Sequence, residues 1–126
     1  MKKLFKVQYG FNQSESTTVE LDEVPKAYYL FIKGEGRAIF KSGVAVRGQD
    51  ILRIEPDWNA TMGWNKTYKL TDDDWNQIGE ENKKRFTELL GNAKEVAYTA
   101  LKENNPNLTE PQKARELLTE KLKLTT

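Results

Sequence analysis

The 126-residue sequence predicts an α+β domain, with an N-terminal antiparallel sheet of five or six strands followed by a short helix, one long helix and a C-terminal helix. Three observations predict it. Apolar and polar residues alternate through much of the first 56 positions, the period of half-buried strands. From Glu80 onward apolar residues recur at steps of three and four, the period of a helix face. No repeat, low-complexity tract or flexible linker separates the halves, so 1–126 reads as one domain, with the sheet over 1–56, an aromatic loop over 57–70 and helices over 71–126.

The strands follow in order. "LFKVQYGF" sets Phe5, Val7, Tyr9 and Phe11 against Lys6, Gln8 and Gly10. "NQSES" is a polar turn, and "TTVEL" resumes the alternation with Val19 and Leu21. After Pro25, the aromatic and β-branched run "AYYLFIK" reads as a strand, "KGEGR" as a glycine turn and "RAIFK" as the return strand of a hairpin. "VAVRG" is short. "DILRIEP" closes the sheet, with Leu52 and Ile54 expected on one face and Arg53 and Glu55 on the other.

Helix signals then take over. Thr71 followed by Asp72, Asp73 and Asp74 is a capping residue with acids at the positive end of a helix. Trp75 and Ile78 give a short helix broken at Gly79. From Glu80 to about Glu103, Phe86, Leu89, Leu90, Ala93, Val96, Ala97, Ala100 and Leu101 form one stripe on a long helix. "NNPN" stops it, Thr109 with Gln112 makes a capping box, and Pro111 opens a last helix bearing Ala114, Leu117, Leu118 and Leu122. A helix of ~36 Å, at ~1.5 Å per residue, overhangs a small sheet. Its stripe therefore needs a cover, either the last helix folded back or a second copy of the chain, and the expectation is a homo-oligomer, dimer or higher, through the C-terminal helices.

Composition narrows the chemistry. Without cysteine or histidine there is no disulfide, thiolate metal site, thiol nucleophile or imidazole base. Net charge is +1 with signs interspersed, which argues against binding polymeric nucleic acid through its backbone. "MKKLFKVQYGF" carries no signal-peptide run and no stretch approaches a membrane span, so the chain reads as cytoplasmic with no membrane partner. The Asn-x-Ser/Thr sequons at Asn12, Asn59, Asn65 and Asn107 then read as chance. Asp72, Asp73 and Asp74 are better explained by capping than by catalysis, and "GEG" at 34–36 lacks the third glycine and helix of a phosphate fingerprint. No catalytic residue, metal ligand or cofactor is assigned, and the chain is expected not to be an enzyme. A small magnesium-dependent enzyme built on Asp57 or on Asp72–Asp74 is the minor reading.

Binding is better supported. "PDWNATMGWNKTYKL", residues 56–70, places Trp58 and Trp64 six positions apart, each followed by an asparagine. Around it stand Arg47, Gln49, Asp50, Arg53, Asp57, Asn59 and Asn65. Indole faces stack on planar bases, guanidinium forks bind phosphate, and asparagine carries both a donor and an acceptor. The same tryptophans can instead seal the core, and Arg47 can pair with Asp50 or Asp57. Phe86, beside Lys84 and Arg85, and Asn92, after Gly91 in mid-helix, are further candidates, as is Arg115, the only arginine of the last helix. The ligand-binding set is Phe86, Asn92, Arg115, Arg47, Trp58, Trp64, Asn65 and Arg85.

The order of elements across nearly the whole chain, and above all "VAVRGQDILRIEPDWNATMGWNKTYKLTDDDWNQIG" at 44–79, resembles the first-described family of phage Thoeris anti-defence sponges. The resemblance implies an inhibitor acting in the infected host cell. It would hold a cyclic ADP-ribose-type immune signal intact and keep it from its effector. It also implies a homo-oligomer whose C-terminal helices share pockets. By position, it makes Phe86 the ring that stacks on adenine, Asn92 the polar helix residue and Arg115 the arginine on the phosphates. Some members hold cyclic oligonucleotides at a second site, for which Lys26 and Arg37 are the cations available near the sheet. The alternative is a phage-encoded inhibitor that acts by binding another protein.

Overall fold

The computed structural model describes residues 2–10 and 15–103. The chain runs β1 (Leu4–Tyr9), β2 (Glu15–Glu20), a 3-10 turn, α1 (Val24–Lys33), β3 (Arg37–Ile39), β4 (Ala45–Arg47), a second 3-10 turn, β5 (Ile51–Pro56), α2 (Trp58–Met62), α3 (Asp72–Ile78) and α4 (Glu80–Lys102). The architecture is α+β. The antiparallel sheet has three strands in the order β2-β1-β5, fewer than the five or six expected, and β3 and β4 form a separate hairpin. The expected C-terminal helix, with its capping box, lies outside the described residues.

The missing strand is "AYYLFIK", which is helical. An apolar run this short has no period that separates strand from buried helix, and its flanks decide. Pro25 sits in the first turn, where its missing N–H costs nothing. Gly34 takes the left-handed conformation (φ 70°) just past the end and donates its N–H to Leu30 O at 2.9 Å. Helical winding buries Val24, Ala27, Tyr29 and Leu30. β3 consequently pairs with β4 instead.

The shared core joins Phe5, Val7 and Val19 of the sheet to α1 and to Phe86, Leu89, Ala93, Val96, Ala97 and Ala100 of α4. Each such Leu, Val or Phe removed from water contributes about 1.5–3 kcal/mol. The α4 stripe is covered inside one chain, with α1 packed against it. The helix that had read as a strand supplies that cover. A Cβ on Gly91 would meet nothing within 4 Å among the described residues.

One register detail also departs from expectation. β5 pairs Gln8 with Arg53 but Tyr9 with Ile51, so Leu52 is an extra, bulged residue. It does not share the inward face of Ile54 and is 40% exposed.

A buried ionic group ties the hairpin to the start of α1. Glu23 accepts the Lys41 backbone N–H at 2.8 Å, and Lys26 donates to Ile39 O at 3.1 Å while standing 4.9 Å over the Phe40 ring. Burial pushes the Lys26 ammonium below its ordinary pKa, and Glu23 and Asp22 oppose that shift.

Candidate functional site

The segment expected as a loop opens with a short helix. Asp57 caps α2 by accepting the Ala60 N–H at 3.1 Å, and its other oxygen accepts the Thr18 hydroxyl at 2.7 Å. The Asp57 N–H and the Thr61 hydroxyl both donate to Leu4 O, at 3.0 and 3.3 Å, and Leu4 N–H donates back to Thr61 at 3.0 Å. These bonds staple α2 to the first residue of β1. Asp57 is thus engaged on both oxygens in holding the turn.

That staple fixes Trp58. Its ring lies 4.5 Å from Phe86 and 6.2 Å from Trp75, edge to face with the latter, and Phe86 lies 5.2 Å from Phe5. Four rings therefore run in series from the core outward, through two tilted contacts and one T-shaped contact of the kind aromatic quadrupoles favour. Phe5 and Phe86 have no exposed surface, whereas Trp58 and Trp75 are half-buried and line a cleft.

The cleft has a volume of about 640 Å³, within the ~300–1,000 Å³ range of small-molecule sites. Its aromatic lining residues are Trp58, Trp75 and Tyr68. Its charged side comes from the solvent face of the sheet, where cross-strand partners Lys6 and Glu55 lie 3.4 Å apart and Arg53 stands two residues before Glu55. Lys69 adds a cation with no ion pair among the described residues. Asn59 also lines the cleft and has a buried Oδ1 without a hydrogen-bond partner among the described residues.

The third wall, residues 68–70, belongs to an irregular strap between α2 and α3. Lys66 holds it. Its ammonium lies 3.9 Å from the Trp64 ring centroid and bonds to Asp74, and its carbonyl accepts Asn59 Nδ2 at 3.0 Å. Asp74 also completes the capping box with Thr71, accepting that residue's N–H at 2.9 Å. The Lys66 ammonium first, and then the Thr71 N–H, hold the Asp74 carboxyl below the usual aspartate range. Asp72 and Asp73 remain exposed at the start of α3, the capping arrangement the sequence indicates.

Of the eight residues selected from the sequence, Trp58 lines this cleft. Phe86 stands behind it as a core ring with no exposed surface, packed between Phe5 and Trp58. Trp64 is covered by Lys66 and, like exposed Asn65, takes no part in the lining. Arg47 sits on the separate hairpin, paired to Asp50 at 2.8 Å. Arg85 pairs with Glu88 at 3.5 Å, and Asn92 is half-buried on α4. Arg115 lies outside the described residues. Lys6, Tyr68, Lys69 and Trp75 were not selected. The outward phase of Lys6 against Phe5 and Val7 was readable in the alternation, but the return of Trp75 onto Trp58 needs the helix–strap–helix geometry.

No group of three or more carboxylates is placed to hold a metal ion among the described residues, and no helix there is long and apolar enough to cross a membrane. Comparison of the chain with protein-family models, curated proteins and solved structures gives no significant match.

Proposed function

We propose that the chain is a non-covalent binder of a planar, anionic small molecule of the nucleotide class, seated in the cleft between the β1–β5 face and the α2–strap–α3 wall. The observation that carries this reading is that three aromatic residues, Trp58, Trp75 and Tyr68, and three cations, Lys6, Arg53 and Lys69, line one space of about 640 Å³. Base stacking on an aromatic ring is worth about 1–3 kcal/mol. A lysine or arginine on a phosphate oxygen adds a charge-assisted bond. Of the carboxylates lining the cleft, Asp57 is held by Thr18 and Ala60 and Glu55 faces Lys6 at 3.4 Å, while Asp74 beside the strap is held by Lys66 and Thr71. Such a site retains its ligand instead of transforming it. The specific form of the proposal is a phage anti-defence sponge for a cyclic ADP-ribose-type signal. That choice of ligand rests on the resemblance of residues 44–79.

The test is a titration of tryptophan fluorescence with cyclic ADP-ribose isomers, followed by heat release and chromatography of the ligand. Saturable quenching with the ligand recovered intact supports the proposal. Ligand returned altered would make the chain an enzyme. Fluorescence indifferent to every isomer, together with a stable heterocomplex from host lysate, would favour the protein-binding inhibitor.

A further inference from the structure

A second feature lies at the other end of the β1–β5 ladder, where Gly10 N–H closes onto Asp50 O at 2.9 Å. On the β3–β4 hairpin, Arg37 and Arg47 are direct cross-strand partners. Directly opposed residues of an antiparallel pair share a face, with Cβ atoms roughly 4.5–5.5 Å apart, and like charges so placed repel. Among the described residues Arg47 is paired through Nε alone, with Asp50 at 2.8 Å. Arg37 is exposed and makes no ion pair among the described residues.

The backbone fixes this pairing. Gly36 and Gly48 flank the two arginines, and Gly48 N–H donates to Gly36 O at 2.9 Å. A Cβ on Gly48 would lie 2.4 Å from Leu30 O and 2.6 Å from Glu35 O, so the hairpin is pressed onto the end of α1 where no side chain fits. The guanidiniums thus spring from a fixed base. Beside them is a hollow of about 280 Å³, edged also by Tyr9, Glu15 and Asp50.

We propose that Arg37 and Arg47 together bind a small phosphoryl oxyanion in this hollow, at a site separate from the aromatic cleft. A tetrahedral dianion offers each guanidinium fork a pair of oxygens and relieves the cross-strand repulsion. The hollow falls below the ~300–1,000 Å³ of sites that enclose a drug-sized ligand, so it suits a terminal phosphate and not a whole nucleotide or cyclic oligonucleotide. Glu15 and Asp50 make its formal charge neutral, so recognition rests on the paired forks. The dissociation constant expected from two such contacts is on the order of 1 mM.

The experiment follows the arginine Nε–H and tryptophan indole N–H signals by NMR while inorganic phosphate is added. Acetate and chloride at matched ionic strength serve as comparisons. Phosphate is expected to shift the Arg37 and Arg47 signals saturably and to leave the Trp58 and Trp75 indoles unmoved. Acetate should bind at least tenfold more weakly. Arg37→Gln should abolish saturation with the indole pattern preserved, and Arg37→Lys should weaken it severalfold, because the ammonium keeps the charge and loses the fork. A linear drift equal to that in chloride, acetate as tight as phosphate, or saturation that survives Arg37→Gln would overturn the proposal. The arginine signals report on the hollow and the indole signals on the cleft, so either site can fail alone.

Discussion

Replacing Phe86 with alanine separates a core ring from a ligand-stacking ring. Phe86 has no exposed surface and touches two aromatic rings, Phe5 at 5.2 Å and Trp58 at 4.5 Å. Removing the ring forfeits its transfer free energy and opens a cavity between the sheet, α2 and α4, and Phe→Ala at such sites costs about 3–5 kcal/mol. The two aromatic contacts account for ~0.5–1.5 kcal/mol each beyond area alone. For a domain this size, ~3–5 °C of melting temperature per kcal/mol gives a fall of roughly 10–20 °C. Urea denaturation followed by tryptophan fluorescence reads the change directly, because Trp58 is the neighbour that loses its contact. A loss under about 1 kcal/mol would refute the packing argument. A fully stable variant that had lost only ligand affinity would return Phe86 to the ligand.

Three further outcomes follow from local geometry. Gly91→Ala should stabilise the protein by about 0.5–1 kcal/mol in urea, because the position is helical and meets no neighbour among the described residues; a loss instead would mean that another surface packs there. Gly48→Ala should lower stability by at least ~1–3 kcal/mol, since the new methyl meets the backbone oxygens of Leu30 and Glu35; an unchanged urea midpoint would contradict the close approach. Asp74 has a folded pKa below its ordinary value of 3.8, so its bonds to Lys66 and Thr71 stabilise the fold fully above that value and are lost as pH falls through the lowered folded pKa. The melting temperatures of the wild type and Asp74→Asn should therefore converge as pH is lowered from about 5 through the carboxylate range, and a constant gap would remove Asp74 from the acid response.

How much of this was legible in the sequence depended on whether a signal was local. The β1 alternation, the Thr71 cap and the α4 stripe are carried by near neighbours, and each appears where its spacing places it. "AYYLFIK" failed because its aromatic residues suit either a strand or a buried helix. The deciding marks, Pro25 and Gly34, lie at its edges and had been read as strand punctuation. That one exchange removed a strand, re-paired β3 with β4 and supplied the cover for α4. The bulge at Leu52 shows no composition mark at all, because it is set by the partner strand. At the site, Trp58 could be recognised as either core or ligand ring, and in the structure it contacts both core and cleft. Trp64 became a shelf for Lys66, a pairing two residues apart that the sequence displayed without marking its geometry. Trp75 and Lys69 reach the cleft only through the path of the strap.

The most direct test of the cleft is the melting temperature of the wild type and of Lys69→Gln in the presence of a cyclic ADP-ribose isomer. Ligand at about a hundred times its dissociation constant adds ~2.7 kcal/mol, a rise on the order of 10 °C for a domain this size. Lys69 has no ion pair among the described residues, so its replacement should leave the unliganded melting temperature unchanged. At the same ligand concentration the rise should shrink, as loss of one charge-assisted contact weakens binding by about 10- to 100-fold. No rise with any isomer, or a rise of equal size in both proteins, would contradict the account of the cleft.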